Sequence, residues 1–364
     1  MGYQPARIHR AGSGGRRRHR DHPARCHRHV QLARGGDHPA GDHRAGGGGG
    51  SHLCLSAPPY PVTQSIGVDP QSAFARYLQI ADRLPRTAAG GLAETGVFID
   101  LAARFDLILF DAYGVLNVGE TAIPGATDTI AALRAAGKAV GVVSNSAAYP
   151  KAHMMARYAR LGFDFSAPEV TTSREALTAH IAGLPPCRWG VMINPAVDLG
   201  ELATLNTTVL GDDAESYDAQ DGFLLVGADG WTDRRQTLLE ASLKRAPRPV
   251  LVGNPDLVAP RETGLSREPG WFAHRLADRT GVRPVFLGKP FGQVFDIALG
   301  RFNRALRPER VLMVGDTLHT DILGGAQAGF ATALVTGYGS LTGLDVTDAI
   351  AQAGLSPDFI VPNI

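Results

Sequence analysis

LILFDAYGVLN (residues 107–117) and RVLMVGDTLHTD (residues 310–321) carry the clearest architectural signal in this chain of 364 residues. Each begins with a short apolar run of the kind that forms a central strand of a parallel sheet, and each run ends at an aspartate, Asp111 or Asp316. Ligands of open α/β sheets bind outside the carboxyl ends of the strands. The two carboxylates are therefore expected to meet in one crevice of a doubly wound, Rossmann-like α/β core.

Strands and helices alternate around these two runs. A predicted helix over TDTIAALRAAG (127–137) precedes the strand KAVGVVSN, which ends at Ser144 and Asn145. Farther along, VFLGK (285–289) is predicted to be another core strand, and it places Lys289 at a strand end. Strand and helix then alternate to the end of the chain, which is the rhythm of βαβ units.

The segment between these core elements is long enough for a domain of its own. Strands near GVMIN, GFLLVGA and PVLVGN, separated by helical stretches, give it a second α/β pattern. We interpret residues 173–283 as a cap inserted into a core formed by residues 105–172 and 284–364. Residues 62–104 are predicted to be a helical lead-in, in which no chemistry is visible.

The amino-terminal segment has a different composition from the rest of the chain. Its first 52 residues contain ten Arg and three Asp with no Lys or Glu, together with twelve Gly and eight His, and they show no periodicity. Such a sequence cannot bury enough apolar surface to offset its ordering entropy. We expect residues 1–61 to be disordered or not part of the native protein, with the biological start near Val62. A basic arm for nucleic acid and a His/Cys metal tract are the weaker alternatives.

Charge, cysteine content and hydropathy exclude several classes of protein. A net charge of +1 gives no case for a nucleic-acid or membrane-surface binder. Three widely separated cysteines argue against a disulfide framework and a structural zinc site. No apolar run approaches the length of about 18 residues that a membrane span needs. We therefore expect a cytoplasmic protein with neither a nucleic-acid partner nor a membrane partner.

The polar residues at the predicted strand ends have a shared chemistry. A carboxylate can attack phosphorus and form an aspartyl-phosphate when a cation neutralises the negative charges that meet. Asp111, Asp316 and Asp321 offer hard oxygen ligands for Mg²⁺, while Lys289 and the Ser144 hydroxyl could hold phosphoryl oxygens. Any one of these residues alone is more often structural, as a helix cap or a solvated lysine. The complete set in this order favours a catalytic site.

Four segments, FDAYGVLN, VVSNS, LGKP and VGDTLHTDILGGAQAG, resemble the motifs of the haloacid dehalogenase superfamily of aspartate-nucleophile hydrolases. The resemblance covers roughly residues 105–362. Asp111 and Ser144 are 33 positions apart, whereas Ser144 and Lys289 are 145 apart, which leaves room for a large cap only in the second insertion position. With VGADGWTDRRQTLLEA and VGNPDLVAP in that insertion, the chain resembles class IIA, the branch of NagD-type and para-nitrophenyl phosphatases.

The resemblance implies a role for each matched residue, with Asp111 as the nucleophile. It implies that Mg²⁺ is bound by Asp111, the backbone carbonyl of Tyr113, Asp316 and Asp321. It implies that the phosphoryl group is held by Ser144, Asn145 and Lys289. It implies that the cap contacts the substrate through Asn254 and Asp256, although Asn-Pro-Asp is also a common turn sequence.

Position 113 departs from the pattern of the family. Phosphatases of this superfamily usually carry a second aspartate two residues after the nucleophile, which protonates the leaving group and then activates water; this chain has Tyr113 there. Tyrosine, with an unperturbed pKa of about 10, is a poor general base at neutral pH. Loss of acid–base catalysis typically costs about 10²- to 10⁴-fold, so slow turnover of alkyl phosphates is expected.

These observations lead to one principal hypothesis and two alternatives. The principal hypothesis is a Mg²⁺-dependent phosphatase of small phosphate esters, such as sugar or nucleotide phosphates, that works through an aspartyl-phosphate. A non-hydrolytic phospholigand-binding protein is the first alternative, and Tyr113 supports it. A 2-haloacid dehalogenase is less favoured, because those enzymes place the cap between the first two motifs and lack the acidic pair Asp316 and Asp321. The expected partner is a small phosphorylated metabolite, and the resemblance also makes a homodimer an option.

Overall fold

Two separate parallel sheets organise the part of the chain that the computed structural model describes, which comprises residues 67–87, 90–302 and 306–364. The predictions for residues 1–61 and for a start near Val62 lie outside these residues. The strands are β1 (Glu94–Thr95), β2 (Leu107–Phe110), β3 (Asn117–Val118), β4 (Thr121–Ala122), β5 (Ala139–Ser144), β6 (Val170–Thr172), β7 (Trp189–Met192), β8 (Thr207–Val209), β9 (Gly222–Leu225), β10 (Val250–Val252), β11 (Val258–Arg261), β12 (Gly264–Arg267), β13 (Val285–Phe286), β14 (Val311–Gly315), β15 (Ala331–Val335) and β16 (Phe359–Val361).

Helices connect most of these strands. They are α1 (Pro70–Gln79), α2 (Phe98–Ala102), α3 (Ala126–Ala135), α4 (Lys151–Arg160), α5 (Ser173–Ala182), α6 (Ala214–Asp218), α7 (Asp233–Arg245), α8 (Pro269–Thr280), α9 (Gln293–Leu299), α10 (Leu323–Gln327) and α11 (Val346–Ala353). A turn of π-helix, Leu318–Ile322, leads into α10. In the described residues no helix combines the length and the apolar character that crossing a bilayer requires.

The larger sheet has seven strands in the order β1-β16-β15-β14-β2-β5-β6, and its pairs are all parallel. From β2 the chain moves outward through β5 and β6, and it later returns to β14 on the other side of β2. The sheet therefore has its topological switch point between β2 and β14, where α/β proteins bind ligands. The predicted doubly wound α/β core is confirmed.

The apolar runs of β2 and β14 explain why these strands lie at the centre. Ile108 and Phe110 belong to a buried cluster on one face of the sheet, whereas Leu107 and Leu109 belong to a cluster on the other face. The residues of β14 alternate between the same two clusters. Both faces are covered, so every position of the run is apolar, as expected for a central parallel strand.

The smaller sheet has five strands in the order β13-β10-β9-β7-β8, again all parallel. We call residues 189–286, which contain this sheet, the insert. The predicted strands near GVMIN, GFLLVGA and PVLVGN are its β7, β9 and β10. A short antiparallel hairpin, β11–β12, follows β10 and extends toward the core.

Three details of the structure differ from the expectations based on the sequence. The strand at 285–289 was expected in the core sheet, but β13 covers only Val285–Phe286 and pairs with β10 of the insert. The apolar residues of this segment would fit a strand in either sheet, and only the observed strand pairing shows which sheet it joins. Helix α5, which lies inside the predicted cap boundary of 173–283, packs against α9 beside the core strands. The lead-in at 62–104 is also not purely helical, since β1 joins the edge of the core sheet.

Candidate active site

Asp111 and Ser144 lie at the carboxyl ends of neighbouring core strands. Asp111 directly follows β2, and its backbone N–H donates to Val314 O of β14 at 2.8 Å, which fixes it at the switch point. Ser144 ends β5 and is buried. Both residues line the same pocket. The topology of the sheet thus brings them together, as the sequence predicts.

Three carboxylates form a compact acidic cluster at this edge. Oxygen atoms of Asp111, Asp316 and Asp321 all lie within 4.8 Å of one another. Asp316 follows β14, and Asp321 lies in the π-helical turn that comes next. The wide turn brings Asp321 back toward the strand end, where its Oδ2 accepts the Thr317 N–H at 3.1 Å. Such π-helical turns are frequent at functional sites.

Asp316 is held in place by the loop that follows β15. Its Oδ2 accepts the Ser340 N–H at 2.6 Å, and its Oδ1 accepts the Thr317 hydroxyl at 3.0 Å. Gly114 allows the loop after β2 to approach this carboxylate, because it has a φ of +78° and a Cβ there would lie 2.8 Å from Asp316 Cγ. Only glycine fits both conditions, which explains the glycine of FDAYG.

Lys289 lies between two of the carboxylates. Its Nζ is 2.6 Å from Asp111 Oδ1 and 2.7 Å from Asp321 Oδ1, and its side chain is 1% exposed. Burial disfavours the charged form of this lysine, but Asp111 and Asp321 outweigh burial and raise its pKa. Lys289 is therefore a fixed positive charge beside the candidate nucleophile, although it follows a strand of the insert rather than one of the core.

The acidic cluster has more negative charge than Lys289 can neutralise. Burial raises the pKa of Asp316 to about 6, with a further contribution from Asp111. Burial also raises the pKa of Asp321 to about 8, where Lys289 opposes the shift and Asp111 adds to it. Hard carboxylate oxygens at this spacing fit a divalent metal ion, which would offset the charge. The contribution of the Tyr113 backbone carbonyl to such a site stays a prediction.

Asn145 links three parts of the candidate site. Its amide N–H groups donate to Asp256 Oδ1 at 2.8 Å and to Lys289 O at 3.0 Å, while its Oδ1 accepts the Lys289 N–H at 2.8 Å. The side chain thus joins the end of β5 to the backbone of Lys289 and to the insert. Its predicted contribution to phosphate binding stays a prediction. Gly288 permits this, since a Cβ there would lie 2.6 Å from Asn145 Oδ1.

Asn254 and Asp256 lie in the insert and face the same pocket as Asp111. Asn254 makes the predicted turn, because its Oδ1 accepts the Asp256 N–H at 3.0 Å, and its amide also donates to Glu268 Oε2 at 3.2 Å. Burial raises the pKa of Asp256 well above its usual range; Lys289 opposes this shift and Asp111 adds to it. The turn is therefore present and both residues line the pocket, while their contact with the substrate stays a prediction.

Tyr113 is packed between two arginines. The guanidinium carbon of Arg157 from α4 lies 4.7 Å from the ring centroid, and that of Arg261 from β11 lies 4.6 Å from it. Arg261 also donates from Nη1 to the Tyr113 hydroxyl at 2.9 Å and from Nη2 to Glu268 Oε1 at 2.9 Å. The tyrosine is therefore a contact between core and insert, in addition to lining the pocket.

Sequence reasoning missed Arg157, Arg261 and Glu268. Arg261 and Glu268 line the pocket, but they lie in or beside the β11–β12 hairpin, whose approach to the core no periodic pattern encodes. The local sequence VAPRETG does not indicate whether its arginine, Arg261, contacts the site or lies in solvent. The cavity that the pocket residues enclose is small, about 50 Å³.

Comparisons with known proteins agree with this architecture. A family model described as haloacid dehalogenase-like hydrolase matches residues 108–198, and a HAD-hydrolase-like model matches residues 286–364. Human glycerol-3-phosphate phosphatase is 30% identical over 299 residues, which cover 72% of this chain and 90% of the relative. Bovine chronophin is 32% identical over 277 residues, which cover 73% and 93%. A solved structure from Cytophaga hutchinsonii, described as a possible sugar phosphatase, superposes with a TM-score of 0.65 at 26% identity and covers 74% of this chain and 98% of that one.

The chain belongs to the haloacid dehalogenase-like hydrolases. Within that superfamily it is a member of class IIA, as the sequence motifs and their spacing predict. Relatives named as phosphatases also bear out the predicted enzyme class, a hydrolase of phosphate monoesters.

Proposed function

We propose that this protein is a Mg²⁺-dependent phosphatase that hydrolyses small phosphate monoesters through an aspartyl-phosphate at Asp111. The observation that carries the proposal is the position of Asp111, which lies within one acidic cluster and 2.6 Å from the buried Lys289 Nζ. A carboxylate nucleophile needs neutralising charge beside the transferred group; Lys289 offers one positive charge, and a divalent ion held by the acidic cluster would add more. The partner would be a small phosphorylated metabolite, and the location would be cytoplasmic.

The three clustered carboxylates Asp111, Asp316 and Asp321 would hold the metal ion. When bound, Mg²⁺ supplies Lewis-acid charge that lets a dianionic phosphate approach a carboxylate. Asp316 and Asp321 are suited to this purpose, because both are buried and already held by backbone N–H groups. Their positions therefore need little rearrangement on loading.

The protein residues then divide the reaction between them. An Asp111 oxygen forms the bond to phosphorus while the bond from phosphorus to the leaving-group oxygen breaks. Lys289 Nζ and the Ser144 hydroxyl stabilise the phosphoryl oxygens as charge is redistributed. The leaving oxygen takes up a proton from solvent. A water molecule later attacks phosphorus and gives a proton to solvent while the bond between phosphorus and the Asp111 oxygen breaks, which releases inorganic phosphate and regenerates the carboxylate.

The insert would act as the cap that selects the substrate. Asn254, Asp256 and Glu268 present amide and carboxyl groups to the pocket, and such groups bind hydroxyls. The names of two relatives, a glycerol-3-phosphate phosphatase and a possible sugar phosphatase, support a substrate that carries hydroxyls. Small polyol and sugar phosphates are therefore the first substrates to test.

A second candidate function follows from Tyr113. Its hydroxyl is engaged by Arg261, and tyrosine replaces the aspartate that serves as acid and base in related phosphatases. A protein with this site could bind a phosphorylated ligand and release it unchanged. Both functions would use the same site, but only the phosphatase would convert the bound phosphate ester to product.

Phosphate release distinguishes them. Glycerol 3-phosphate, sugar phosphates, nucleoside monophosphates and para-nitrophenyl phosphate are incubated with wild type and with Asp111→Asn, with Mg²⁺ or with a chelator. We expect metal-dependent release that Asp111→Asn reduces by about 10⁴-fold or more, as for other lost nucleophiles. Thermal stabilisation by phosphate esters without any release would instead establish the binding protein.

A further inference from the structure

Helix α1 contacts the core and the insert at the same time. It lies before both segments matched by the family models, which begin at residue 108. One set of its contacts includes Phe74, which packs with Leu318 and Ile322 of the π-helical turn. Another set includes Ala73 and Ile80, which pack in a buried cluster with hairpin and loop residues of the insert. The helix therefore packs against both the core and the insert.

Tyr77 is the α1 residue that joins the two halves of the candidate site. Its ring stacks on His319 with centroids 4.9 Å apart and planes 8° apart, and His319 shares the π-helical turn with Asp321. Its hydroxyl accepts the backbone N–H of Leu257 at 3.1 Å, directly after the pocket residue Asp256. Tyr77 is 4% exposed, so this hydrogen bond is shielded from water.

Further contacts between α1 and the insert lie nearer the surface. The Val68 N–H donates to Leu265 O of the β11–β12 hairpin at 3.1 Å. Arg76 pairs with Asp278 of α8 at 2.6 Å, and Arg83 pairs with the same carboxylate. These ion pairs are partly exposed and contribute little on their own. The buried contacts of Tyr77 are therefore the stronger candidates for holding the insert loop.

The insert loop has no regular secondary structure, and besides Tyr77 it is held by Asn145, which donates to Asp256 Oδ1 at 2.8 Å. Residues 254–257 lie between β10 and β11 and carry Asn254 and Asp256. Their side chains can align a substrate only if the backbone of this loop keeps its distance from Asp111. A misplacement of about 1 Å can reduce catalysis substantially, so a rigid support behind the loop has functional value.

We propose that Tyr77 is a positioning residue that fixes insert loop 254–257 against the turn bearing Asp321, and thereby sets the substrate-binding geometry of the cap. Tyr77 does not touch the pocket and takes no part in the chemistry. Its effect on kinetics rests on the proposed phosphatase function, whereas its effect on the loop does not. The two effects are therefore measured separately.

The test compares Tyr77→Phe with wild type and with Gln71→Ala. Phenylalanine keeps the ring that stacks on His319 and removes only the hydroxyl that accepts from Leu257. Gln71 is an exposed residue of the same helix and serves as the matched control. Peptide-level hydrogen exchange reports the loop, and steady-state kinetics with para-nitrophenyl phosphate and glycerol 3-phosphate report the site.

In Tyr77→Phe we expect faster exchange in peptides covering 254–257, unchanged exchange in β9 and β10, and a KM raised by about three- to tenfold, which corresponds to one hydrogen bond. We expect kcat to stay within about twofold, because the chemical groups are untouched. Gln71→Ala is expected to change neither quantity.

Unchanged exchange in the loop overturns the proposal. Faster exchange with an unchanged KM also overturns it, because the contact would then be structural only. If wild type releases no phosphate from any ester, the phosphatase function fails, and the exchange experiment alone decides whether Tyr77 holds the loop.

Discussion

The two sides of the pocket are built in different ways. On the core side, Asp111, Ser144 and Asp316 are brought together by strand order, since each lies at the carboxyl end of a buried parallel strand or directly after it. On the insert side, Asp256 and Arg261 are positioned by a short loop and hairpin that depend on contacts from other elements. Under the proposed function, the core side would determine which reaction is available, and the insert side would determine which substrate is aligned and how well.

Lys289→Met tests whether the buried charge beside Asp111 contributes to the chemistry, and of the three changes compared below we expect it to have the largest effect. Loss of a preorganised charge that stabilises the transition state typically costs about 10²- to 10³-fold in kcat. The variant also leaves Asp111 and Asp321 without their buried partner, so the metal-free protein should unfold at a lower temperature. Lys244→Met, on the exposed side of α7, is the matched control. A kcat within a few fold of wild type would remove Lys289 from the mechanism.

Tyr113→Asp changes the residue at which the core side contacts the insert side, and it tests whether a missing acid limits turnover. The new carboxylate would stand where related phosphatases carry their acid and base, within reach of Arg261. We expect kcat/KM for alkyl phosphates to rise by roughly tenfold or more, with a smaller gain for para-nitrophenyl phosphate, whose leaving group needs little protonation. Tyr113→Phe, which only removes the hydroxyl, is the control and should show no gain. An equal gain in both variants would mean that the Tyr113–Arg261 contact restrains the site and that the missing acid does not limit it.

The pH dependence of stability gives the smallest expected effect and concerns the core side alone. The pKa values of Asp316, about 6, and Asp321, about 8, lie above the ordinary value of 3.8. These two carboxyl groups thus bind more protons in the folded protein than in the unfolded chain between about pH 4 and pH 8, so their contribution to metal-free stability falls as pH rises through this window. Mg²⁺ competes with these protons, and its stabilising effect should grow with pH.

Thermal unfolding in chelator and in Mg²⁺ at several pH values checks this expectation. The difference in Tm between the two conditions should be larger near pH 8 than near pH 5. Asp321→Asn removes one titrating ligand and should flatten the dependence. A Mg²⁺ effect of constant size across the range would argue against metal binding by these carboxylates.

The difference between the two sides also explains how much the sequence could predict. A buried parallel strand leaves a continuous apolar run, and its end is marked by the first polar residue, so LILF followed by Asp111 locates both a strand and a site residue. The first, second and fourth motif segments could be placed in this way. The assignment of 285–289 to the core sheet was wrong, because two apolar residues before Leu-Gly-Lys fit any parallel sheet.

The remaining site residues have no comparable signal. Arg261 reaches Tyr113 across 148 positions, and Tyr77 reaches Leu257 across 180. These contacts depend on how the hairpin and α1 pack on the core, and neither residue type is unusual in its local sequence. Asn145 was correctly placed at the end of its strand, but its hydrogen bonds to Lys289 and Asp256 could be seen only in three dimensions.

In the proposed mechanism Asp111 becomes covalently phosphorylated, and an acid-quench experiment can trap this phosphorylated form. Wild type and Asp111→Asn are mixed with para-nitrophenyl phosphate and Mg²⁺, quenched in acid within the first turnover, and digested for mass spectrometry at low pH. We expect a phosphoryl group on the peptide containing Asp111 in wild type and none on the corresponding peptide of Asp111→Asn. Turnover by wild type with no phosphorylated peptide, or with the phosphoryl group on another residue, would contradict it.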